Sequence, residues 1–568
     1  MTTGQRQWSR LALALHVVAL VGGFFVLLYC NRDQWFFGDE WDFIGHRGVF
    51  GPARSLWAPH TEHWSTLPIL IYRGLYARYG LLTYVPYVAV LLLLHVAVAH
   101  LLWRILLRAD VDPLLATALS AVFVLLGAGS ENLLWAFQIG FIGSIALGLV
   151  ALLLVNHDGG WSWRDVAAWV VSIAGLMFSG LSVTMVAAAG LTVLMRRGWR
   201  QAALIVAVPG IVYLVWFSLI GDQNIGASER TLDDFFRYPE YIWNGLRSAA
   251  EQTVGFPGAG AIIVLGLAAF LLRRAGLASG PAAPAFACAF AALMQFAIIA
   301  AGRATLGFDQ PVASRYVYIV IALALPAMGL ALHELVTRPL TSGPSASGSA
   351  APGRRAVVCL VLLLVAVHNG GLLRDRSKAE KRLEQRLKAH ILAAAQLISS
   401  PAVVLGGHPE PEFSPDIEVD DLRRMYRDGK LPAPERITAE DRLAVATVLQ
   451  YAVAANELPT PFTAPLVDGM VGATDQSVGN GCMLVFPAGP APEVHLVGGT
   501  PMSVRVTTLV SGELTGYLRI FTPTVHTSEP KVDKVRAGVP VYVNVTAMVD
   551  QVVIRIPPSG ATEFCGVL

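Results

Sequence analysis

Charged side chains are scarce in this chain of 568 residues. Asp, Glu, Lys and Arg make up 14% of it, against roughly 25% in an average soluble protein. The 42 basic and 40 acidic residues leave a formal net charge of +2, which disfavours a nucleic-acid partner. Five cysteines without a CxxC spacing exclude a disulfide scaffold and a structural zinc site. The sequence also lacks a G-x-S-x-G elbow, a Walker A sequence and a dinucleotide fingerprint, so it disfavours nucleotide-driven chemistry.

Apolar residues, by contrast, make up 54% of the chain, and the mean hydropathy is +0.55. They gather in long blocks, and a membrane-spanning helix needs about 20 mostly apolar residues. The sequence therefore predicts an α-helical polytopic membrane protein with about eleven spans, near 11–29, 82–103, 113–129, 138–155, 166–179, 181–195, 202–220, 259–272, 283–301, 315–335 and 356–373. The short pair 166–179 and 181–195, separated only by Ser179-Gly180, is the least certain of these and is also compatible with two half-depth helices.

The distribution of arginine predicts the orientation of these spans. Arginines recur at alternate loops, and positive residues near short loops stay cytoplasmic, so we expect a cytoplasmic N-terminus. An odd number of spans then places residue 374 onward outside the cytoplasm. No A-x-A site follows the first apolar segment, so we expect a retained helix rather than a cleaved signal. High Ala, Gly and Arg usage is typical of a GC-rich bacterium, which indicates a multi-pass protein of the bacterial inner membrane.

The composition changes after residue 373, which predicts a transmembrane domain over 1–373 and an extracytoplasmic α+β domain over 374–568. The second domain divides into a helical part, 374–470, and a β-sandwich-like part, 480–568, in which apolar residues alternate with a period of two. Cys482 and Cys565 bracket the predicted sandwich. In an oxidising compartment we expect them to form a disulfide, two buried thiols being the alternative.

Ionisable and aromatic residues concentrate in the first predicted outer loop, about 30–80. Asp39 and Glu40 follow the first span within the run GDEWDF, an aromatic setting that can orient a carboxylate for base chemistry. His60, Glu62 and His63 come next, and in a helix His60 and His63 would share a face. A divalent metal ion is left open, although H-T-E-H differs from the zinc-protease motif H-E-x-x-H. Simple solvation of a loop is the alternative explanation.

This arrangement resembles the GT-C superfamily of integral-membrane glycosyltransferases. The G-D-E-W-D-F run is similar to the acidic pair of the protein O-mannosyltransferases, and the architecture is also similar to that of the bacterial aminoarabinose and arabinofuranosyl transferases. The resemblance implies inverting transfer of a sugar from a polyprenyl-phosphate donor to a glycan, lipid or protein acceptor on the outer face of the bilayer. By position, it makes Asp39 the general base for the acceptor hydroxyl, and it gives Glu40 the role of orienting the acceptor or a metal.

A polyprenyl-phosphate donor also needs a cation for its phosphate. Arg303 and Arg315 stand at the two ends of a short outer loop, with Tyr316 beside the second. An arginine there can hold a lipid phosphate bidentately, or it can snorkel to lipid headgroups. The sequence does not indicate which of the two arginines holds the phosphate. Together with Tyr316 and the H-T-E-H residues, they form the predicted substrate-binding set.

The alternative function is a transporter, flippase or assembly protein for cell-envelope polysaccharide. A break at Ser179-Gly180, with Ser182 and Thr184 close behind, supports it. Against it, the sequence shows no clear internal repeat, and its polar residues gather at the outer interface rather than at mid-membrane.

Overall fold

A computed structural model of the chain describes residues 3–45, 48–221, 232–303, 312–337, 350–399, 407–433, 437–457, 463–498, 501–521 and 524–568. The chain divides into two compact units. The first comprises Met1–Gln34, Arg47–Leu75 and Tyr84–Lys381, and the second comprises Trp35–His46, Tyr76–Thr83 and Arg382–Leu568.

The helices dominate the first unit and continue into the second. In chain order they are α1 (Thr3–Asn31), α2 (Glu40–Ile44), α3 (Thr66–Tyr79), α4 (Val85–Arg108), α5 (Pro113–Val124), α6 (Glu131–Leu134), α7 (Ile139–Val155), α8 (Trp163–Leu176), α9 (Ser182–Arg197), α10 (Trp199–Leu219), α11 (Leu232–Val254), α12 (Ala259–Arg273), α13 (Ala283–Arg303), α14 (Ser314–Thr337), α15 (Ala350–Ser399), α16 (Val419–Arg427) and α17 (Ala439–Leu449).

Within the described residues, seven helices are long and apolar enough to cross a membrane. They are Ser9–Asn31, Val85–Arg108, Ala136–Val155, Trp199–Leu219, Ala283–Gly302, Ser314–Thr337 and Gly353–Ile398. The pair Phe235–Val254 and Ala259–Arg273, bent by 113°, makes an eighth if it is one span. The helical membrane character is thus confirmed, whereas the count of eleven is not.

The four remaining predicted spans contain helices that are too short. These are α5, α8, α9 and α12, with 12, 14, 16 and 15 residues. Their apolar sequence continues through the turns that end them. Leu126 and Ala128, for example, are buried although α5 has ended at Val124. Hydropathy counts such buried turns as helix, which explains why the sequence predicts more spans than there are described helices of spanning length.

Helix packing in the first unit places α7 near the centre. It packs against α4, α8 and α9, and 72% of its span is buried. Only 22% of the spans in α1 and α10 is buried, and their exposed leucines and valines suit contact with lipid. The first unit also holds a hairpin, β1 (Pro59–His60) and β2 (His63–Trp64).

The strands of the second unit form two six-stranded antiparallel sheets. They are β3 (Tyr451–Ala454), β4 (Leu466–Val471), β5 (Ala473–Gly479), β6 (Cys482–Pro487), β7 (Glu493–Val497), β8 (Met502–Thr508), β9 (Gly512–Phe521), β10 (Val525–Thr527), β11 (Lys531–Val535), β12 (Val541–Val545), β13 (Gln551–Arg555) and β14 (Thr562–Cys565). One sheet has the order β10-β9-β13-β7-β4, with β11 also paired to β9, and the other has the order β3-β12-β8-β14-β6-β5.

A single apolar core joins the two sheets. Val504 and Phe564 from one sheet and Leu518 and Ile554 from the other belong to it, so the predicted C-terminal β-sandwich is confirmed. Its strands begin earlier than predicted, because β3 lies within, and β4 begins within, the part 374–470 that was expected to be helical. Cys482 and Cys565 are cross-strand partners on β6 and β14, and a disulfide joins them.

Two features bear on the predicted boundary at residue 373. Helix α15 is continuous across it, with 50 residues from Ala350 to Ser399. The segment Trp35–His46, which contains the acidic pair, belongs to the same compact unit as the β-sandwich.

Candidate functional site

The first unit contains a cavity of about 320 Å³ with mixed polar and apolar walls, which we call the His63 cavity. It is lined by Glu62, His63, Phe141, Gly180, Leu181, Val183, Tyr213, Phe217, Gln295, Ile298, Ile299, Gly302, Tyr316 and Ile319. Three of the predicted substrate-binding residues, Glu62, His63 and Tyr316, therefore meet here. The polar groups that the described residues bring to this lining, such as Glu62, His63 and Gln295, suit a hydrogen-bonding ligand.

His60 and His63 lie on the two strands of the β1–β2 hairpin. The expectation that His60 and His63 share a helical face is wrong, because the chain reverses at Thr61, whose φ is 50°, and α3 begins only at Thr66. The two histidines are instead directly opposite each other across the hairpin. Only His63 lines the cavity, where its Nε2 lies 3.7 Å from Glu62 Oε1.

Aromatic contacts hold both imidazoles against α7 and the turn before it. The His60 ring lies 5.2 Å from the Phe137 ring, and the His63 ring lies 5.5 Å from the Phe141 ring, centroid to centroid. Gly180 passes so close to this hairpin that a Cβ there would lie 3.1 Å from His63 Nδ1. The position of His63 is therefore fixed by packing on two sides.

A buried hydrogen-bond pair forms another part of the wall. Thr184 Oγ1 lies 2.6 Å from the Leu181 carbonyl oxygen and 3.2 Å from the Gln295 amide oxygen, which orients that amide at the cavity. Sequence reasoning missed Tyr213 and Gln295 as site residues. Their signal was a polar group inside an otherwise apolar span, a position that usually marks function.

The start of α14 places Arg315 beside the cavity residue Tyr316. The Arg315 guanidinium carbon lies 5.2 Å from the centre of the Tyr316 ring, and Nη1 lies 2.7 Å from Glu131 Oε1. Ser314 Oγ accepts the Glu131 backbone N–H at 3.2 Å, which ties α6 to α14. Arg315 is therefore already in an ion pair. Arg303 ends α13, and its side chain lies outside the described residues.

The acidic pair lies in the second unit. Asp39 is exposed and directly precedes α2, whereas Glu40 is fully buried and accepts the Phe37 backbone N–H at 3.2 Å. Trp35 and Trp41 pack edge to face beneath this turn, with ring centroids 5.8 Å apart. The two carboxylates thus have different environments, one facing solvent and one supporting the turn.

Two groups from distant parts of the second unit accept hydrogen bonds from the backbone of the same turn. Glu384 Oε2, from α15, accepts the Trp35 N–H at 2.8 Å, and the Gly38 N–H donates to the Phe413 carbonyl at 2.9 Å. Burial raises the pKa of Tyr76, and the Asp428 and Asp421 carboxylates raise it further, so Tyr76 stays a neutral hydroxyl. Asp39 is therefore an exposed carboxylate on a rigid support.

A second groove, of about 280 Å³, lies on the opposite face of α13. Its walls, which come from α11, α12, α13 and α14, contain only apolar side chains, such as Leu267, Phe290 and Met328. It offers nothing to bind a polar headgroup, which makes the His63 cavity the better candidate site.

In the described part of the chain, the predicted site residues do not form a group with the geometry of metal ligands. The grouping found there is Cys482, Glu563 and Cys565, and its two sulfurs are joined in the disulfide. That grouping therefore offers no thiolate to an ion.

No family model matches this chain, and no curated protein matches it. Among solved structures it is similar to the crystal structure of ArnT from Cupriavidus metallidurans bound to undecaprenyl phosphate, at 14% identity and a TM-score of 0.42. The match covers 76% of this chain and 87% of that one. An identity and a TM-score this low do not establish a shared fold.

Proposed function

We propose that this chain is a membrane glycosyltransferase of the GT-C type that moves a sugar from a polyprenyl-phosphate donor to an acceptor hydroxyl. The observation that carries the proposal is the placement of Asp39. Its carboxylate is exposed, yet it stands on a turn fixed by the buried Glu40 and by Glu384, a few residues beyond the first candidate span. A general base needs both access to its substrate and a fixed position.

In this proposal the two carboxylates have separate roles. Asp39 takes the proton of the acceptor hydroxyl as the acceptor oxygen attacks the anomeric carbon of the donor. The bond between that carbon and the phosphate oxygen breaks, polyprenyl phosphate leaves, and the anomeric configuration inverts. Because Glu40 is fully buried against the Phe37 N–H, we assign it to holding the turn rather than to contacting the acceptor.

Within the first unit, the His63 cavity offers a binding place for the lipid part of the donor. Apolar walls such as Phe217, Ile298 and Ile319 suit the first isoprene units of a lipid, while Glu62 and Gln295 suit sugar hydroxyls. Among the described residues, the lining of the cavity contains no lysine or arginine that could hold the phosphate. Arg315, next to the cavity residue Tyr316, would supply a cation by exchanging its Glu131 partner for the phosphate.

The test is turnover of a panel of radiolabelled polyprenyl-phosphate sugars by the purified full chain, with and without a chelator. We expect transfer or slow donor hydrolysis by the wild type and a loss of about 10²–10⁴-fold in Asp39→Asn. Asp42→Asn, in the short helix α2 that Asp39 directly precedes, is the matched control and should retain activity.

The same experiment distinguishes the alternative function. If no donor is bound or consumed, and if wild type and Asp39→Asn move lipid-linked glycan equally well in vesicles, the glycosyltransferase proposal fails and transport becomes the better account. Loss of turnover on chelation would assign a divalent ion to the reaction.

A further inference from the structure

Two arginines from different helices converge on one backbone carbonyl in the first unit. Arg108 ends α4, and Arg164 lies in the first turn of α8. Arg108 Nη1 and Arg164 Nη2 donate to the Leu153 oxygen at 2.7 and 2.8 Å. Leu153 lies in the last turn of α7, where carbonyls lack an intrahelical partner. The shared acceptor therefore holds two guanidinium groups side by side.

A third arginine adds to this like-charged group. Arg104, one helical turn before Arg108 on α4, lies within electrostatic range of it, as Arg164 does. Against three positive charges the helix end offers only about half a negative charge. Among the residues that the structure describes, no carboxylate forms an ion pair with any of the three, although Asp110 follows shortly after Arg108 in sequence.

Two arginines at the end of helix α9, by contrast, form ion pairs with carboxylates. Arg196 pairs with Asp158 at 2.5 Å, and Arg197 pairs with Asp165 at 2.6 Å. The first of these also contacts Asn156, at the end of α7. Unlike Arg196 and Arg197, Arg104, Arg108 and Arg164 have no carboxylate partner among the described residues. They therefore form a concentrated positive charge that an anion would stabilise.

The depth of this group in the membrane is indicated by the helices and tryptophans around it. The candidate spans in α4 and α7 both end here. Trp161, Trp163 and Trp199 are 42%, 74% and 69% exposed, and exposed tryptophans are enriched where lipid headgroups lie. On the same helix α8, Val166 and Val170 have exposed apolar side chains, which suit contact with lipid.

We infer that Arg104, Arg108 and Arg164 bind the phosphate of an anionic membrane lipid. The planar guanidinium groups match phosphate oxygens, and the Leu153 carbonyl holds two of them in place before the lipid arrives. Basic pockets between membrane helices are typical sites for acidic headgroups. The site shares no residue with the His63 cavity and does not depend on the proposed transfer reaction.

The test is native mass spectrometry of the detergent-purified full chain, titrated with phosphatidylglycerol or with phosphatidylcholine of the same acyl chains. We expect the wild type to prefer phosphatidylglycerol, and the double variant Arg108→Gln/Arg164→Gln to lose that preference by about tenfold or more. Arg200→Gln is the matched control, because Arg200 is an exposed arginine that lies over the Trp199 ring. It should bind as the wild type does.

A single variant guards against misfolding of the double variant. Arg104 is exposed on α4, so Arg104→Glu should fold and still weaken phosphatidylglycerol binding. Unchanged lipid preference in either folded variant overturns the site. Displacement of the lipid by millimolar inorganic phosphate would show a general anion site and overturn the assignment to a lipid.

Discussion

Because Gly180 has no Cβ, the walls of the His63 cavity can approach each other closely at this residue. A Cβ at this position would lie 3.1 Å from His63 Nδ1 and 3.6 Å from the Tyr213 hydroxyl oxygen. We therefore expect Gly180→Ala to raise the KM for the lipid donor several-fold while changing kcat less, because it narrows the binding space and touches no reacting atom. Steady-state kinetics of the purified chain would measure both constants.

The control for this change is Gly210→Ala on α10, where no neighbouring atom lies within 4 Å of the added Cβ. It should leave KM unchanged. Equal KM values in the two variants and the wild type would mean that the donor does not occupy the cavity.

Some residues of the His63 cavity could be predicted from the sequence, and others could not. Glu62 and His63 stand out, because ionisable groups cluster in one loop. Gln295 and Tyr213 lie within apolar stretches of α13 and α10, and nothing local indicates which face of the helix they occupy. The pairing of Arg315 with Glu131, 184 residues apart, arises only from tertiary structure.

At the scale of elements, one buried ion pair joins the beginning of α8 to the end of α9. The fully buried Asp165 carboxylate accepts from Arg197 at 2.6 Å. Removing one partner of such a pair leaves a charge without compensation, so we expect Asp165→Asn to destabilise the chain by about 3–5 kcal/mol. Thermal unfolding in detergent would show this as a lower Tm.

Asp158 provides the matched comparison. Its carboxylate is 89% exposed while it pairs with Arg196, and exposed pairs contribute at most about 1 kcal/mol. A Tm for Asp158→Asn as low as that of Asp165→Asn would contradict the role of burial.

The same pair predicts a pH dependence. Burial by itself would raise the pKa of Asp165, but hydrogen bonds from Arg197 and the Ser162 N–H, with His157 nearby, outweigh it and lower the pKa below its ordinary value. A carboxyl whose folded pKa is lowered stabilises the fold above its unfolded pKa, and the stabilisation is lost as the pH falls through the folded value. The Tm gap between wild type and Asp165→Asn should therefore shrink below about pH 4 and persist at neutral pH.

Strands were easier to locate from sequence than helix ends. The alternation at Val504 and Val506, and at Val541, Val543 and Val545, falls on β8 and β12, because a strand buried on one face must alternate. The hairpin at His60 has two-residue strands, too short for any period. Buried turns such as the one after α5 are as apolar as the helix before them.

At the scale of the whole molecule, the disulfide links β6 of the β-sandwich to its last strand, β14. Cys482 and Cys565 are 83 residues apart, and closing a loop of that length contributes about 4–5 kcal/mol in the chain-entropy account. We expect the double variant Cys482→Ser/Cys565→Ser to melt well below the wild type without reductant. Cys359→Ser, which removes a free cysteine on α15, should melt as the wild type does.

Reductant then serves as the internal check. It should lower the wild-type Tm to that of the double variant and leave the double variant unchanged. An equal effect of reductant on both proteins would show that the stabilisation does not come from this bridge.

The side of the membrane on which the β-sandwich lies depends on whether the number of spans is odd or even. Seven spans, like eleven, place it opposite the N-terminus, whereas counting the bent pair as an eighth would place both ends on one side. From the arginine pattern we expect alkaline phosphatase fused after Leu568 to be active outside the cytoplasm. A fusion truncated after Thr337, at the end of α14, should be inactive. The reverse pattern would overturn the orientation.

The sequence by itself determined what local chemistry can determine. Long apolar blocks predict membrane-spanning helices, and period-two alternation predicts a β-sheet. A concentration of ionisable groups marks the loop that contains the acidic pair and H-T-E-H. Only the tertiary structure decided where helices end, that the Asp39 turn belongs to the compact unit of the β-sandwich, and that Gln295 and Tyr213 join His63 around one cavity. These outcomes depend on contacts between residues tens to hundreds of positions apart, and local periodicity carries no record of such contacts.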